Sequence, residues 1–128
     1  MVDKLFSVLV LLGIASSVVA QTPPITRTRL LQSAIPSVET YEALLVRVEV
    51  TPHAAAGKHY HHGVEIAYVV DGTATLMVEG QPPRQVKAGD SFRIGERVKH
   101  DVATADAKLT ILSTYLVEKG KPLAEPAQ

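Results

Sequence analysis

Residues 59–72, His59-Tyr60-His61-His62-Gly63-Val64-Glu65-Ile66-Ala67-Tyr68-Val69-Val70-Asp71-Gly72, decide how this chain is read. From Glu65 to Val70 the residues are mostly β-branched, aromatic or small, which favours a strand. Asp71-Gly72 follows, and a second run from Thr73 to Glu79 has the same character; Asp-Gly between two such runs predicts a hairpin. On an extended backbone residues two apart share a face, so His59 and His61 project together while Tyr60 and His62 point away. Glu65 keeps that parity and turns inward with Ala67 and Val69, bringing a carboxylate towards two imidazoles.

Outward from this stretch the pattern stays short and alternating. Tyr41 to Val50 places Leu44, Val46, Val48 and Val50 on one face and Leu45, Arg47 and Glu49 on the other. Thr51-Pro52 and the run from Ala54 to Gly57 end it. Gly80-Gln81-Pro82-Pro83 predicts a turn, Arg84 to Val86 a short strand, Ala88-Gly89-Asp90 a turn and Ser91 to Ile94 another strand. His100 to Thr104 and Lys108 to Val117 are again rich in Val, Leu, Ile and Thr. No stretch shows a sustained helical period, so the chain is all-β, and short strands with frequent turns indicate a sandwich or barrel.

The first twenty residues carry Asp3 and Lys4, an apolar run from Leu5 to Leu12, and Val18-Val19-Ala20 at the end. That order of charge, apolar stretch and small residues is expected of a secretory signal peptide cleaved before Gln21. The run is shorter than the roughly 20 residues that span a bilayer. Residues 21–27, with two prolines, read as a leader, residues 28–118 as one domain, and residues 119–128 as an extended tail. The expected location is the periplasm or the medium, with no membrane attachment after cleavage. The chain has no cysteine, so disulfides and lipid attachment through cysteine are excluded. Thirteen basic and thirteen acidic residues balance, and Trp is absent; this leaves neither a basic face nor a stacking platform for nucleic acid. The expected partner is a small molecule or a second copy of the chain, the latter suited to an apolar stripe of Ile66, Tyr68 and Val70.

His100, far along the chain, is the candidate fourth member of the cluster of His59, His61 and Glu65. Three imidazoles and one carboxylate suit a single divalent ion of Fe, Mn, Ni, Cu or Zn. His53 and His62 are alternatives that parity turns away. The ordered set His59, His61, Glu65 and Gly72, then Gly89 and His100, resembles the two motifs of the cupin superfamily. In the first motif a glycine, five residues, HxH, three or four residues, Glu, six residues and Gly follow one another. Here only the leading glycine is displaced, Gly57 lying nearer than the pattern asks. In the second, Gly89 and His100 keep register, while Gly95 stands for the motif's proline, Arg97 for its glycine and Thr104 for its asparagine.

The resemblance covers residues 28–118 and implies a single jelly-roll β-barrel of short antiparallel strands. It also implies an ion bound by His59, His61, Glu65 and His100, with coordination positions open to water or substrate. Glu65 would either stay bound or swing off as a base. Arg47, Met77, Phe92 and Tyr115 are the candidates for a substrate pocket, each with simple packing as the competing role. The implied activity is that of a metal-dependent enzyme on a small oxygen-rich molecule, a dioxygenase ahead of an isomerase or lyase. The alternative is a cupin that binds a metal or small ligand without catalysis, often as a dimer.

Overall fold

A computed structural model describes residues 21–128; the expected signal peptide, residues 1–20, lies outside the described residues. Ten strands follow in order: β1 (Ile25–Ala34), β2 (Tyr41–Val50), β3 (His59–Tyr60), β4 (Gly63–Asp71), β5 (Thr73–Val78), β6 (Arg84–Lys87), β7 (Ser91–Ile94), β8 (His100–Ala103), β9 (Leu109–Glu118) and β10 (Glu125–Pro126). No helix occurs among the described residues, and none is therefore long and apolar enough to cross a membrane. The strands form two five-stranded antiparallel sheets, one ordered β1-β2-β9-β4-β7 and the other β10-β3-β8-β5-β6. This is the all-β, jelly-roll arrangement, with the two sheets face to face and their ladders not joined into a closed barrel.

Alternation places the core between the sheets. The inward residues of β2 are Leu44, Val46, Val48 and Val50, all buried, and those of β9 are Leu109, Ile111, Ser113, Tyr115 and Val117. Ala67 and Val69 of β4, Leu76 of β5, Val86 of β6, Ile94 of β7 and Val102 of β8 complete it. Each such apolar side chain contributes about 1.5–3 kcal/mol when fully buried. The β9 face is the exception that matters, since Ser113 and the Tyr115 hydroxyl put polar atoms in the middle of an apolar layer.

Three sequence expectations change. Ile25, Thr26 and Arg27, assigned to the leader, already pair with Val50, Glu49 and Val48, so the sheet begins three residues before Thr28. The strand escaped notice because it lies at a sheet edge, where its residues are half-buried or exposed and Leu30 and Leu31 face solvent. Residues 119–128, expected as an extended tail, are docked through a two-residue strand: Glu125 pairs with Tyr60 and Pro126 with His59. Lastly, Asp71-Gly72 does not close a hairpin. β4 pairs with β7 and β9, and β5 with β6 and β8, so the chain passes from one sheet to the other at this corner.

Gly72 makes that corner. Its φ is +86°, and a Cβ there would sit 2.0 Å from the Lys108 carbonyl oxygen. The positive φ costs a side chain about 1 kcal/mol and forced overpacking about 1–3 kcal/mol more. Gly72→Ala is therefore expected to destabilise the fold by about 2–4 kcal/mol, read as a lower urea midpoint at unchanged slope.

Candidate metal centre

The site is assembled from both sheets. His59 and His100 are directly opposed across β3 and β8, which puts their side chains on one face, with ring centroids 4.3 Å apart. His61 follows β3 two residues on and keeps the face of His59; its ring lies 4.9 Å from that of His59 and 5.0 Å from that of His100. Glu65 comes from β4 in the opposite sheet, where it faces Tyr115 of β9. All four side chains are buried. One nitrogen from each of the three histidines lies within 4.8 Å of the others, so this trio can hold a metal ion. Glu65 Oε2 lies 3.1 Å from His61 Nε2 and 3.4 Å from His100 Nε2.

The second ring nitrogens decide what the cluster is for. Each Nδ1 donates to a backbone carbonyl: His59 to Gly57 at 2.6 Å, His61 to Leu123 at 2.5 Å and His100 to Val98 at 2.9 Å. A carbonyl oxygen only accepts, so the proton of a neutral ring sits on Nδ1 and the lone pair on Nε2. His61 and His100 then present lone pairs to a carboxylate oxygen. That arrangement repels unless a proton or a metal ion lies between, and a divalent ion ligated by Nε2 and carboxylate oxygen would remove the conflict. The residues present therefore fit a divalent metal.

Burial is the main cause that pulls the His59 pKa down to about 4, and the positive charges of His100, His61 and Arg27 push the same way, so His59 is a neutral donor near pH 7. Burial on its own would raise the Glu65 pKa, but contacts with His100 and His61 and the Ser113 hydroxyl hold it well below the usual carboxylate range. Glu65 is thus an anion. Ser113 Oγ donates to its Oε1 at 2.7 Å and Tyr115 Oη at 3.1 Å, which fixes one oxygen and leaves Oε2 facing His61 and His100. A carboxylate tied in this way favours staying bound over swinging off as a base. Burial, then the Glu65 charge, raise the Tyr115 pKa far above the ordinary tyrosine range and keep the hydroxyl a donor.

Two of the four pocket candidates line the cavity at the cluster, Phe92 and Tyr115, beside His59, Glu65 and His100. Arg47 does not: it is exposed on the outer face of β2 and meets Glu49 at 3.6 Å. Met77 lines not this cavity but a surface groove that reaches the cluster only at His100, with Lys58, Glu79 and Asp101. His62 points away as parity required and meets Glu125 at 3.1 Å, and His53 is exposed beside Asp106. The sequence reading passed over Arg27, which lines the cavity, and Ser113. The second was legible as one polar residue in the inward register of Leu109, Ile111, Tyr115 and Val117.

The motif departures have a structural reading too. His53 occupies the position six before His59 where the first motif has glycine, and Arg97 stands for the glycine of the second; their φ values, +53° and +57°, are the positive ones among the described non-glycine residues. The backbone keeps the left-handed turn that the motif glycines serve, although these residues adopt it less readily. Thr104, in place of the asparagine, donates to the Thr51 carbonyl at 2.5 Å and accepts from the Ala54 amide at 3.1 Å, tying down the loop before β3.

Residues 46–115 match the family model described as Cupin domain. The chain belongs to the cupin family. None of the curated proteins compared matches it. Among solved structures, this cupin is similar to the DMSP lyase DddQ from Ruegeria pomeroyi, with TM-score 0.62 and 21% identity over 66% of this chain and 43% of that one. It is also similar to the polyketide cyclase RemF from Streptomyces resistomycificus, with TM-score 0.64 and 20% identity over 82% and 72% of the two chains. KdgF from Halomonas sp. gives 0.61 and 21% over 77% and 84%. At these identities the likeness is one of fold, and the cupin spans less than half the length of the DMSP lyase.

Partners that orient metal ligands commonly change affinity by roughly 10–100-fold when removed. Ser113→Ala is expected to weaken Zn(II) binding about tenfold, and Glu65→Gln more strongly, in competition with a chromophoric chelator. Unchanged affinity in Glu65→Gln would take the carboxylate out of the ligand set.

Proposed function

We propose that this cupin is a metal-dependent enzyme acting on a small oxygen-rich molecule, with His59, His61, Glu65 and His100 as the ligands of one divalent ion. The observation that carries this reading is the set of Nε2 lone pairs and a carboxylate oxygen turned on one point, each imidazole locked by its Nδ1 bond. A bound ion of this kind supplies Lewis acidity towards a carbonyl or enolate oxygen. The chain holds the ligands, fixes Glu65 through Ser113 and Tyr115, and excludes water with Phe92, Ile25, Val102 and Ile111.

Lyase or isomerase chemistry stands ahead of oxygenase chemistry in this proposal, reversing the order that the sequence suggested. The cavity at the ligands has a volume of only ≈ 20 Å³, where one water needs roughly 10–15 Å³. It suits the reacting group of one substrate better than a substrate and dioxygen side by side. The named activities of two similar structures, a lyase and a cyclase, lean the same way. A second reading, binding without catalysis, is favoured by one observation: the acid and hydroxyl groups at the cavity, Glu65, Ser113 and Tyr115, are already engaged with one another.

Protein loaded separately with Zn(II), Mn(II) and Fe(II) should turn over members of a panel of hydroxy acids, β-substituted carboxylates and diketones, with His59→Ala reducing turnover to background. Oxygen uptake followed in the same assays separates the oxygenase. One equivalent of metal retained with no turnover of any member would leave the binding role.

We infer further that the chain is exported after cleavage before Gln21 and pairs with a second copy. The support for pairing is the outward face of β4, where Ile66, Tyr68 and Val70 are each about half exposed beside Leu116 of β9. Tyr68→Glu is expected to move the protein from dimer to monomer on gel filtration, and a monomeric wild type would remove the pairing. N-terminal sequencing of protein from the periplasmic fraction should begin at Gln21, and a start at Met1 would remove the export.

A further inference from the structure

A pocket of ≈ 210 Å³ opens to the surface beside the metal cavity, walled by Arg27, Ala56, Lys58, His59, Ala124 and Pro126. Arg27, Ala56 and His59 also line the inner cavity, so the two spaces meet at these residues. The docked C-terminal strand supplies the outer wall, held by the Ala127 amide donating to the Lys58 carbonyl at 2.9 Å.

Arg27 sits at the junction. It pairs in register with Val48, whose side chain is buried in the core. Directly opposed residues of an antiparallel pair share a face, so the arginine is directed inward. Its Nε is buried and has no hydrogen-bond partner. Arg27 takes part in none of the ion pairs among the described residues. Lys58 adds a second cation at the rim, and no carboxylate side chain among the described residues lines this pocket.

Arg27 is half-buried, but its buried Nε–H left unpaired is costly, and a cation beside a metal ion is more so. Three neutral imidazoles and one carboxylate leave a divalent ion with residual positive charge, so the interior offers Arg27 no counter-charge. An anionic ligand supplies it. Resting on the metal reading above, we propose that this pocket takes a small carboxylate, its carboxyl group on Arg27 and Lys58 and its other oxygen-bearing end turned to the metal cavity. The planar guanidinium matches a carboxylate through two parallel N–H bonds, a geometry that an ammonium cannot reproduce. The pocket is smaller than the roughly 300–1,000 Å³ that holds drug-sized ligands, and this favours a molecule of a few carbons.

The test compares glycolate with glycolamide, its uncharged amide, in titrations of Co(II)-loaded protein followed by the visible absorption of the ion. Glycolate should bind at least about tenfold more tightly than glycolamide, a preference that Arg27→Gln removes while Co(II) affinity is not reduced. Arg27→Lys, which keeps the charge without the fork, should retain part of the preference and serves if Arg27→Gln fails to fold. Equal binding of the two ligands by wild type, or a preference left undiminished in Arg27→Gln or Arg27→Lys, overturns the carboxylate pocket and leaves the metal reading standing. Failure of wild type to bind Co(II) overturns both.

Discussion

The buried Glu65 carboxylate is the constraint on which the rest of the centre depends. A charge in a layer of Val, Leu and Ile is tolerated only when every lone pair has a partner. One oxygen is satisfied by Ser113 and Tyr115 from the neighbouring strand of its own sheet. The other faces His61 and His100, which lie across the space between the sheets. The acid therefore links the two layers, and its second oxygen faces the histidine trio that can hold a metal ion.

The imidazoles are held by backbone rather than by side chains. Gly57, Val98 and Leu123 lend carbonyls to the three Nδ1 atoms. Two of these lie two residues from the histidine they orient, so the turns before β3 and β8 set the ligand geometry directly. The third comes from the C-terminal segment, more than sixty residues from His61. That segment pairs with β3 and also walls the outer pocket, so one short strand serves ligand orientation and access together.

The same economy shows at the turns. His53 and Arg97 adopt left-handed backbone at positions where the motifs have glycine, and neither is a metal ligand. Because the strand ends on either side are held by ladder bonds, the turns keep their shape despite a less permissive residue. The turns depart from the motif at these two positions while His59, His61, Glu65 and His100 keep its register.

Much of the centre was legible in one dimension. Parity placed His59 and His61 together and sent His62 away, and the spacing to Glu65, Gly72 and His100 identified the fold family, because side-chain direction in a strand follows from a period of two. What the sequence could not settle depended on which strands meet. Asp71-Gly72 read as a hairpin because local turn chemistry is the same at a corner between sheets; only the pairing of β4 with β7 and β9 separates the cases. Arg47 alternated correctly with its neighbours, yet which of the two faces met the core was settled by packing. Arg27 looked like leader because an edge strand needs little apolar patterning, and its place beside the ligands comes from its register with Val48. Composition and local period determined the strands, and the family spacing the candidate ligands; the long-range pairing of those strands decided which polar groups meet inside and which, like Arg27 Nε, are left there without a partner.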